Sequence, residues 1–281
     1  MLFITMISAC SINNAHTFHP DYFVQAYLIA NAPLPVIHLS KTIAIDDNYG
    51  RNKIAVPNAI VRLQLLKDNT PQEIFHYDYD DTRNVYQPNT ITHVLPGRTY
   101  RLDITFTDNR DHISAQTTVP ESFHIIRIMD DTVTYEQHDP IQLLATSNPG
   151  NRQTKYLFNI ISQYKITLTP YYKQQLALDP NKGPNWYYNV TSQIFNESSF
   201  KQDGENIELI VPWNIIAFYG ENLVITNIID TNTYDFLRSI NASGDGFSSN
   251  NTNEVISHIT GGTGIFGSMS RDSVYVYVMR E

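Results

Sequence analysis

The segment GGTGIFG (Gly261 to Gly267) contains Gly262-x-Gly264-x-x-Gly267, the glycine spacing of a dinucleotide-binding loop. That chemistry needs a strand before the glycines, a helix after them, and a parallel βαβ unit around both. Only 14 residues follow Gly267, and they alternate as a β-strand. The crossover has no room, so no nucleotide is expected, and the glycines read as sites of close backbone approach or a bulge. In HYDYDD, strand alternation puts His76, Asp78 and Asp80 on one face beside Asp81, a donor set that could hold a hard cation. The plainer reading is an exposed polar face leading into a turn. His16 and His19 lie three apart in a polar tether, and Asp245 and Glu254 sit in the Gly-rich stretch NASGDGFSSNNTNE, which reads as a surface loop. The chain has no HExxH, no GxSxG and no EF-hand loop. No catalytic residue, metal or other cofactor is expected.

Rings offer a different chemistry. The chain has 18 Tyr, 13 Phe and 2 Trp. PYYK (Tyr171, Tyr172) and NWYYNV (Trp186 to Tyr188) could present rings for stacking on a sugar or a peptide, although adjacent strand residues point to opposite faces. Modification motifs carry less. Asn189, Asn196, Asn241 and Asn250 open N-glycosylation sequons, and Asp131-Thr132-Val133 and Asp272-Ser273-Val274 match a short O-glycosylation triplet of exported bacterial proteins.

The single cysteine of the 281 residues is Cys10, so no internal disulfide or Cys-based zinc site can form. It follows an apolar run, Leu2 to Ile7, and the small residues Ser8 and Ala9. ISAC therefore looks like a lipobox, cut before Cys10 so that the new N-terminal cysteine carries acyl chains. Several such chains, at about 0.8 kcal/mol per buried methylene, hold a protein firmly at a membrane. The short leader without a basic segment suggests a translation start further upstream. No later segment approaches the roughly 20 apolar residues of a membrane span. The expectation is a lipid-anchored protein, with lipidation at Cys10.

Net charge is −9, from 19 Lys+Arg and 28 Asp+Glu, with no basic block to meet a row of phosphates. Nucleic acid is not an expected partner. Acidic pairs such as Asp46-Asp47, Asp80-Asp81 and Asp130-Asp131 read as solvated turns.

The elements that must position these residues are mainly strands. In RTYRLDITFT, Tyr100, Leu102, Ile104 and Phe106 face one way and Thr99, Arg101, Asp103, Thr105 and Thr107 the other, after a Pro96-Gly97 turn. HISAQTTVP reads as its hairpin partner. YFVQAYLIA, PVIHLS and AIVRLQLL complete a strand set that predicts an immunoglobulin-like β-sandwich over residues 21–119. Residues 120–281 read as a second β-rich domain, with strands in KYLFNIISQYKITL, ENIELIVPW, ENLVITNII and DSVYVYVM and a hairpin turn at Asp203-Gly204. Two short helices are expected. TPYYKQQLAL has Thr169 as cap and Pro170 at the first helical position, and DTNTYDFLRSI spaces apolar residues by three and four. The organisation is then residues 1–9 as signal peptide, 10–20 as lipidated tether, and two β regions: an all-β fold.

In this order the features resemble a family of Bacteroidota lipoproteins known as domain-of-unknown-function family 4249. The resemblance runs from ISAC through VPNAIVRL and LPGRTYRLDIT (Leu95, Pro96, Gly97, Tyr100, Leu102) to YDFLRSI and VISHITGGTGIFGSMS. The last segment is the most specific, with Gly261, Gly262, Gly264, Phe266 and Gly267 matching and His258 and Thr263 departing from the family pattern. The resemblance implies an outer-membrane lipoprotein, facing the periplasm or the surface, of a kind often encoded beside TonB-dependent transporters. The leading expectation is a non-enzymatic ligand-binding or accessory partner of such a transporter in nutrient uptake. A structural or adhesin-like envelope module and a carboxylate-dependent hydrolase are the alternatives. Clustered exposed aromatics favour capture; an evenly polar loop surface favours the structural role.

Overall fold

The computed structural model describes residues 20–43, 50–107, 111–136, 140–147, 153–164, 167–179, 181–244 and 255–280. The fold is all-β, as the alternation predicts. The first half of the chain forms β1 (Tyr22–Ile29), β2 (His38–Lys41), α1 (Arg51–Ile54), β3 (Ala59–Lys67), β4 (Thr70–Asp80), β5 (Val85–Pro88), β6 (Thr99–Phe106) and β7 (His112–Thr118). Next come β8 (Ile125–Ile128), β9 (Thr132–Thr134), β10 (Ile141–Thr146), β11 (Lys155–Ser162), α2 (Pro170–Leu178), β12 (Asn189–Thr191), β13 (Phe195–Asn196), β14 (Lys201–Asp203) and β15 (Asn206–Val211). The chain ends with β16 (Gly220–Ile229), α3 (Thr231–Gly244), β17 (Ile259–Thr260) and β18 (Thr263–Met279).

Three sheets result. One runs β17-β7-β6-β3-β4-β5, a second β14-β15-β10-β8, and the third β12-β11-β16-β18-β1-β2, with β13 added on β11 and β9 on β18. The third sheet serves both of the others. Its β1, β2 and the start of β18 face the first sheet, and Val24, Leu28, Leu39 and Phe266 share a core with Leu63, Tyr77, Leu102, Ile104 and Ile113. Its β11, β16 and the end of β18 face the second sheet, where Phe158, Val224, Val276 and Val278 meet Leu143, Ile207 and Leu209. Each such buried side chain contributes about 1.5–3 kcal/mol.

The predicted alternation is realised residue for residue in β6, where Tyr100, Leu102, Ile104 and Phe106 are buried and the residues between are half-buried. It holds again at the end of β18, where Val276 and Val278 are buried and Tyr275 and Tyr277 exposed. The Asp203-Gly204 turn joins β14 to β15, with Gly204 at φ 64°.

One element is longer than its sequence suggests. β18 has 17 residues and begins within the glycine segment. Its first part pairs in parallel with β1, from Phe23–Thr263 to Ile29–Met269, and the rest pairs antiparallel with β16, from Ile229–Met269 to Gly220–Val278. A strand of that length reaches about 55 Å when extended. It is the axis of the molecule, with the start of β1 at one end and the start of β16 at the other.

Candidate functional site

The glycines of GGTGIFG are explained by that axis and not by a nucleotide. Gly264 has φ 113°, and a Cβ there would lie 2.1 Å from the Val24 carbonyl oxygen on β1. A Cβ on Gly267 would lie 2.2 Å from Thr233 Oγ1 on α3. These residues let a neighbouring strand and a helix come against β18 where any side chain would hold them off.

α3 therefore lies close on β18, and its N-terminus opens a cleft at mid-axis, the waist. Asp230 caps the helix: its Oδ1 accepts the Thr233 N–H at 2.9 Å and the Ser268 N–H at 3.0 Å, while Oδ2 accepts the Thr117 hydroxyl. Thr117 and Ser268 share a further hydroxyl contact of 2.7 Å, and the Asn232 amide donates to the carbonyls of Gln116 and Phe266 at 2.8 and 2.9 Å. One carboxylate thus ties β7, β18 and α3 together. Beyond it the cleft holds about 950 Å³ between the ends of β7, β11 and β16 and the start of α3. Asp235, also on its wall, is paired with His258 at 2.9 Å and with Arg238 at 3.5 Å. Lys155, also lining the cleft, lies 5.1 Å from the centre of the Tyr234 ring and donates to Asn196 Oδ1 at 2.6 Å. Close to the cap, burial and the Asp230 carboxylate push the Tyr27 phenol above its ordinary range.

The far end of the axis, the pole, is built differently. α2 starts after Thr169, as its sequence predicts, with Pro170 in the first turn. The Thr169 hydroxyl does not cap the helix; it donates to the Ile216 carbonyl at 2.8 Å and so fastens α2 to the turn before β16. The Thr169 N–H reaches the Ala217 carbonyl at 2.9 Å, and the Tyr172 hydroxyl reaches the Asn214 carbonyl at 2.8 Å. Burial pushes the Tyr172 phenol well up.

These ties bring the two aromatic motifs together. Tyr171 and Tyr172 meet edge-on with centroids 5.1 Å apart, and Tyr172 meets Tyr187, from the short 3₁₀ turn Pro184–Tyr187, at 4.9 Å. Tyr172 is buried among Leu168, Ala217 and Phe218. Around this fixed ring Tyr171, Tyr188 and Trp186 stand in solvent, Trp186 67% exposed with the Lys182 ammonium 5.5 Å from its ring. The row Asn189–Ile161–Leu223–Tyr275 continues across the sheet from the residue next to Tyr188 to another exposed ring. It spans about 14 Å at the usual strand spacing.

The remaining candidates are dispersed. His76, Asp78 and Asp80 do share one face of β4, but Asp80 Oδ1 accepts the N–H groups of Thr82 and Arg83 and so closes the turn. Among the described residues, no group of three or more His, Cys, Asp or Glu gathers to hold a metal ion. Asp272 of the second triplet accepts the Ile125 and Ser273 N–H groups, a structural role. Cys10, His16, His19, Asp46, Asp47, Asp245, Asn250 and Glu254 lie outside the described residues. Among the described residues, no helix is long and apolar enough to cross a membrane. The waist itself went unnoticed in the sequence. Asp230 carries the only local hint of it, as a capping-type residue before a helical pattern.

A family model described as a domain of unknown function, DUF4249, matches residues 11–274. The chain belongs to the DUF4249 family. No curated protein matches the chain. The DUF4249 match covers Tyr171, Tyr172 and Trp186 at the pole and Asp230 and Ser268 at the waist.

Proposed function

We propose that this DUF4249 protein is a lipid-anchored, non-enzymatic capture component of the outer membrane, working beside a TonB-dependent transporter in nutrient uptake. The observation that carries the reading is the aromatic pole. Two motifs about fifteen residues apart converge on one buried tyrosine and hold Tyr171, Trp186 and Tyr188 outward on a rigid base. An evenly polar loop surface, which a purely structural module would present, is not what that end offers.

Geometry supports the same reading. The described chain begins at Pro20, beside the start of β1, whereas the pole sits beyond the last pairs of β18 with β16. With an anchor at Cys10 and the β18 axis upright on the membrane, the pole would stand up to about 55 Å further from it than the tether's attachment point. The acidic groups favour binding over hydrolysis. Asp230 accepts two N–H groups and a hydroxyl, and Asp235 is paired with His258 and Arg238, so neither is left as a free acid or base.

The test is an affinity pull-down of tagged protein from detergent-solubilised native membranes, read by mass spectrometry of the partners and of the mature N-terminus. Recovery of a TonB-dependent transporter with an acylated N-terminal Cys10 is the expected result. A lipidated protein recovered alone would replace the capture role with a structural one. An unmodified Cys10 behind an intact leader would remove the anchor.

A further inference from the structure

We infer that the waist cleft is a binding site for a short neutral saccharide, separate from the aromatic pole and independent of the anchor. Its volume of about 950 Å³ lies at the upper end of the ~300–1,000 Å³ typical of small-ligand sites. Its walls decide the chemistry.

An anionic ligand is disfavoured first. The one structural feature that would attract an anion, the N-terminus of α3, is already filled by the protein's own Asp230 carboxylate. Glu121, Asp230 and Asp235 on the walls face a single lysine, Lys155. A lipid or a flat apolar cofactor is disfavoured next, because Gln116, Glu121, Thr231 and Asn232 make the lining about half polar. A polycation fares little better, since Asp230 and Asp235 are each satisfied from within the protein and only Glu121 remains to meet it.

What remains is a ligand of many hydroxyls, which needs fixed acceptors and groups that both donate and accept. The cleft supplies both. Both protons of the Asn232 amide are held by backbone carbonyls, so its oxygen is left as an oriented acceptor. Glu121 lies directly over Gly97, where a Cβ would fall 2.1 Å from its Oε1, so the glycine makes room for the carboxylate at the cleft wall. Gln116 is exposed and brings an amide that donates and accepts. The Asp230 network holds these walls in place before any ligand arrives, which lowers the ordering cost of binding.

The experiment applies the purified chain to a broad array of neutral glycans, followed by calorimetric titration of the best binder and of spermidine. Saturable glycan binding is expected, at least tenfold weaker in the Gln116→Ala/Glu121→Ala double variant and unchanged in Trp186→Ala. Both cleft positions are at exposed side chains, and thermal unfolding of the double variant verifies that the fold is retained. No saturable glycan on the array would overturn the assignment. So would binding that survives the double variant, or that is lost with Trp186→Ala, which would move the sugar to the pole. Spermidine binding abolished by Glu121→Ala, without any glycan bound, would make the cleft a cation site instead.

Discussion

The waist and the pole lie about half the length of β18 apart, and they solve the same problem in opposite ways. Each must fix a helix against the shared sheet. At the waist the fixing groups are polar: Asp230 joins Thr117, Ser268 and Thr233, and the cleft that remains is lined by hydroxyls, amides and carboxylates together with apolar groups such as Val119 and Ile228. At the pole the fixing groups are aromatic and backbone: Tyr172 is buried, Thr169 bonds the Ile216 carbonyl, and the surplus rings point outward. The contrast teaches where function and stability overlap. Removing the waist's fixing groups should weaken the fold, whereas the pole's exposed rings can be removed without touching what holds them. Substitutions should therefore sort cleanly by end.

The largest effect is expected at Gly264. An alanine there would carry a Cβ against the Val24 carbonyl at a backbone angle that disfavours any side chain. Gly264→Ala should cost at least about 4 kcal/mol in urea unfolding, or prevent folding, by parting β1 from β18. A near-neutral result would mean that the first unit does not need β18, and the single-axis description would fail.

Asp230→Ala comes second. It strips a cap and leaves two N–H groups without their acceptor in a half-buried junction, while the Thr117 hydroxyl keeps only its contact with Ser268. A loss of about 3 kcal/mol is expected, with Asp230→Asn nearer 1 because the amide oxygen still accepts. Both losses should appear in one cooperative transition, since the carboxylate links strands of both units. Two separated transitions would show that the units hold together without it.

The sequence carried the local half of this picture and little of the rest. Alternation in β6 and at the end of β18 named the buried faces correctly, and Thr169-Pro170 marked the start of α2, because those signals depend only on neighbours within a few residues. The waist depends on partners far apart: Thr117 and Asp230 are separated by 113 positions, and Thr117 and Ser268 by 151. Nothing at Asp230 itself reveals which hydroxyl it will meet. The glycines were legible as sites of close backbone approach, because the 14 residues after Gly267 leave no room for a phosphate-binding crossover; only the neighbours, Val24 and Thr233, show that what approaches is a strand and a helix. Likewise each aromatic motif was visible, but not their convergence, since which of their rings would be buried was set by the turn before β16.

A third expectation concerns alkali. Burial raises the phenols of Tyr77, Tyr156 and Tyr172, and pushes that of Tyr135 up to about 12. In the unfolded chain each would ionise near 10. Above that pH the unfolded state binds fewer protons than the folded one, so stability is full below about pH 10 and falls as pH climbs toward the raised folded values. Tyr172→Phe removes one such group at the pole. It should cost about 1 kcal/mol at neutral pH, through the lost bond to the Asn214 carbonyl, and make the alkaline decline shallower. Urea midpoints measured from pH 8 to 11 check both signs, and an unchanged alkaline slope would mean that the phenol reaches solvent.

The smallest stability effect is the one most informative about function. Trp186 and Tyr171 project from the pole with most of their ring surface in water or against a neighbouring side chain, and their removal leaves Tyr172 and its backbone bond in place. The Trp186→Ala/Tyr171→Ala double variant should stay within about 0.5 kcal/mol of the parent. The same variant should lose at least tenfold in recovery of the proposed transporter partner, because exposed aromatics on a rigid base are the groups that carry interface energy. A variant that is both unstable and unable to bind would show that the pole, like the waist, is built of its own fixing groups. Unchanged stability with unchanged recovery would leave the rings without a role in capture, and the proposed waist cleft as the candidate that remains among the described residues.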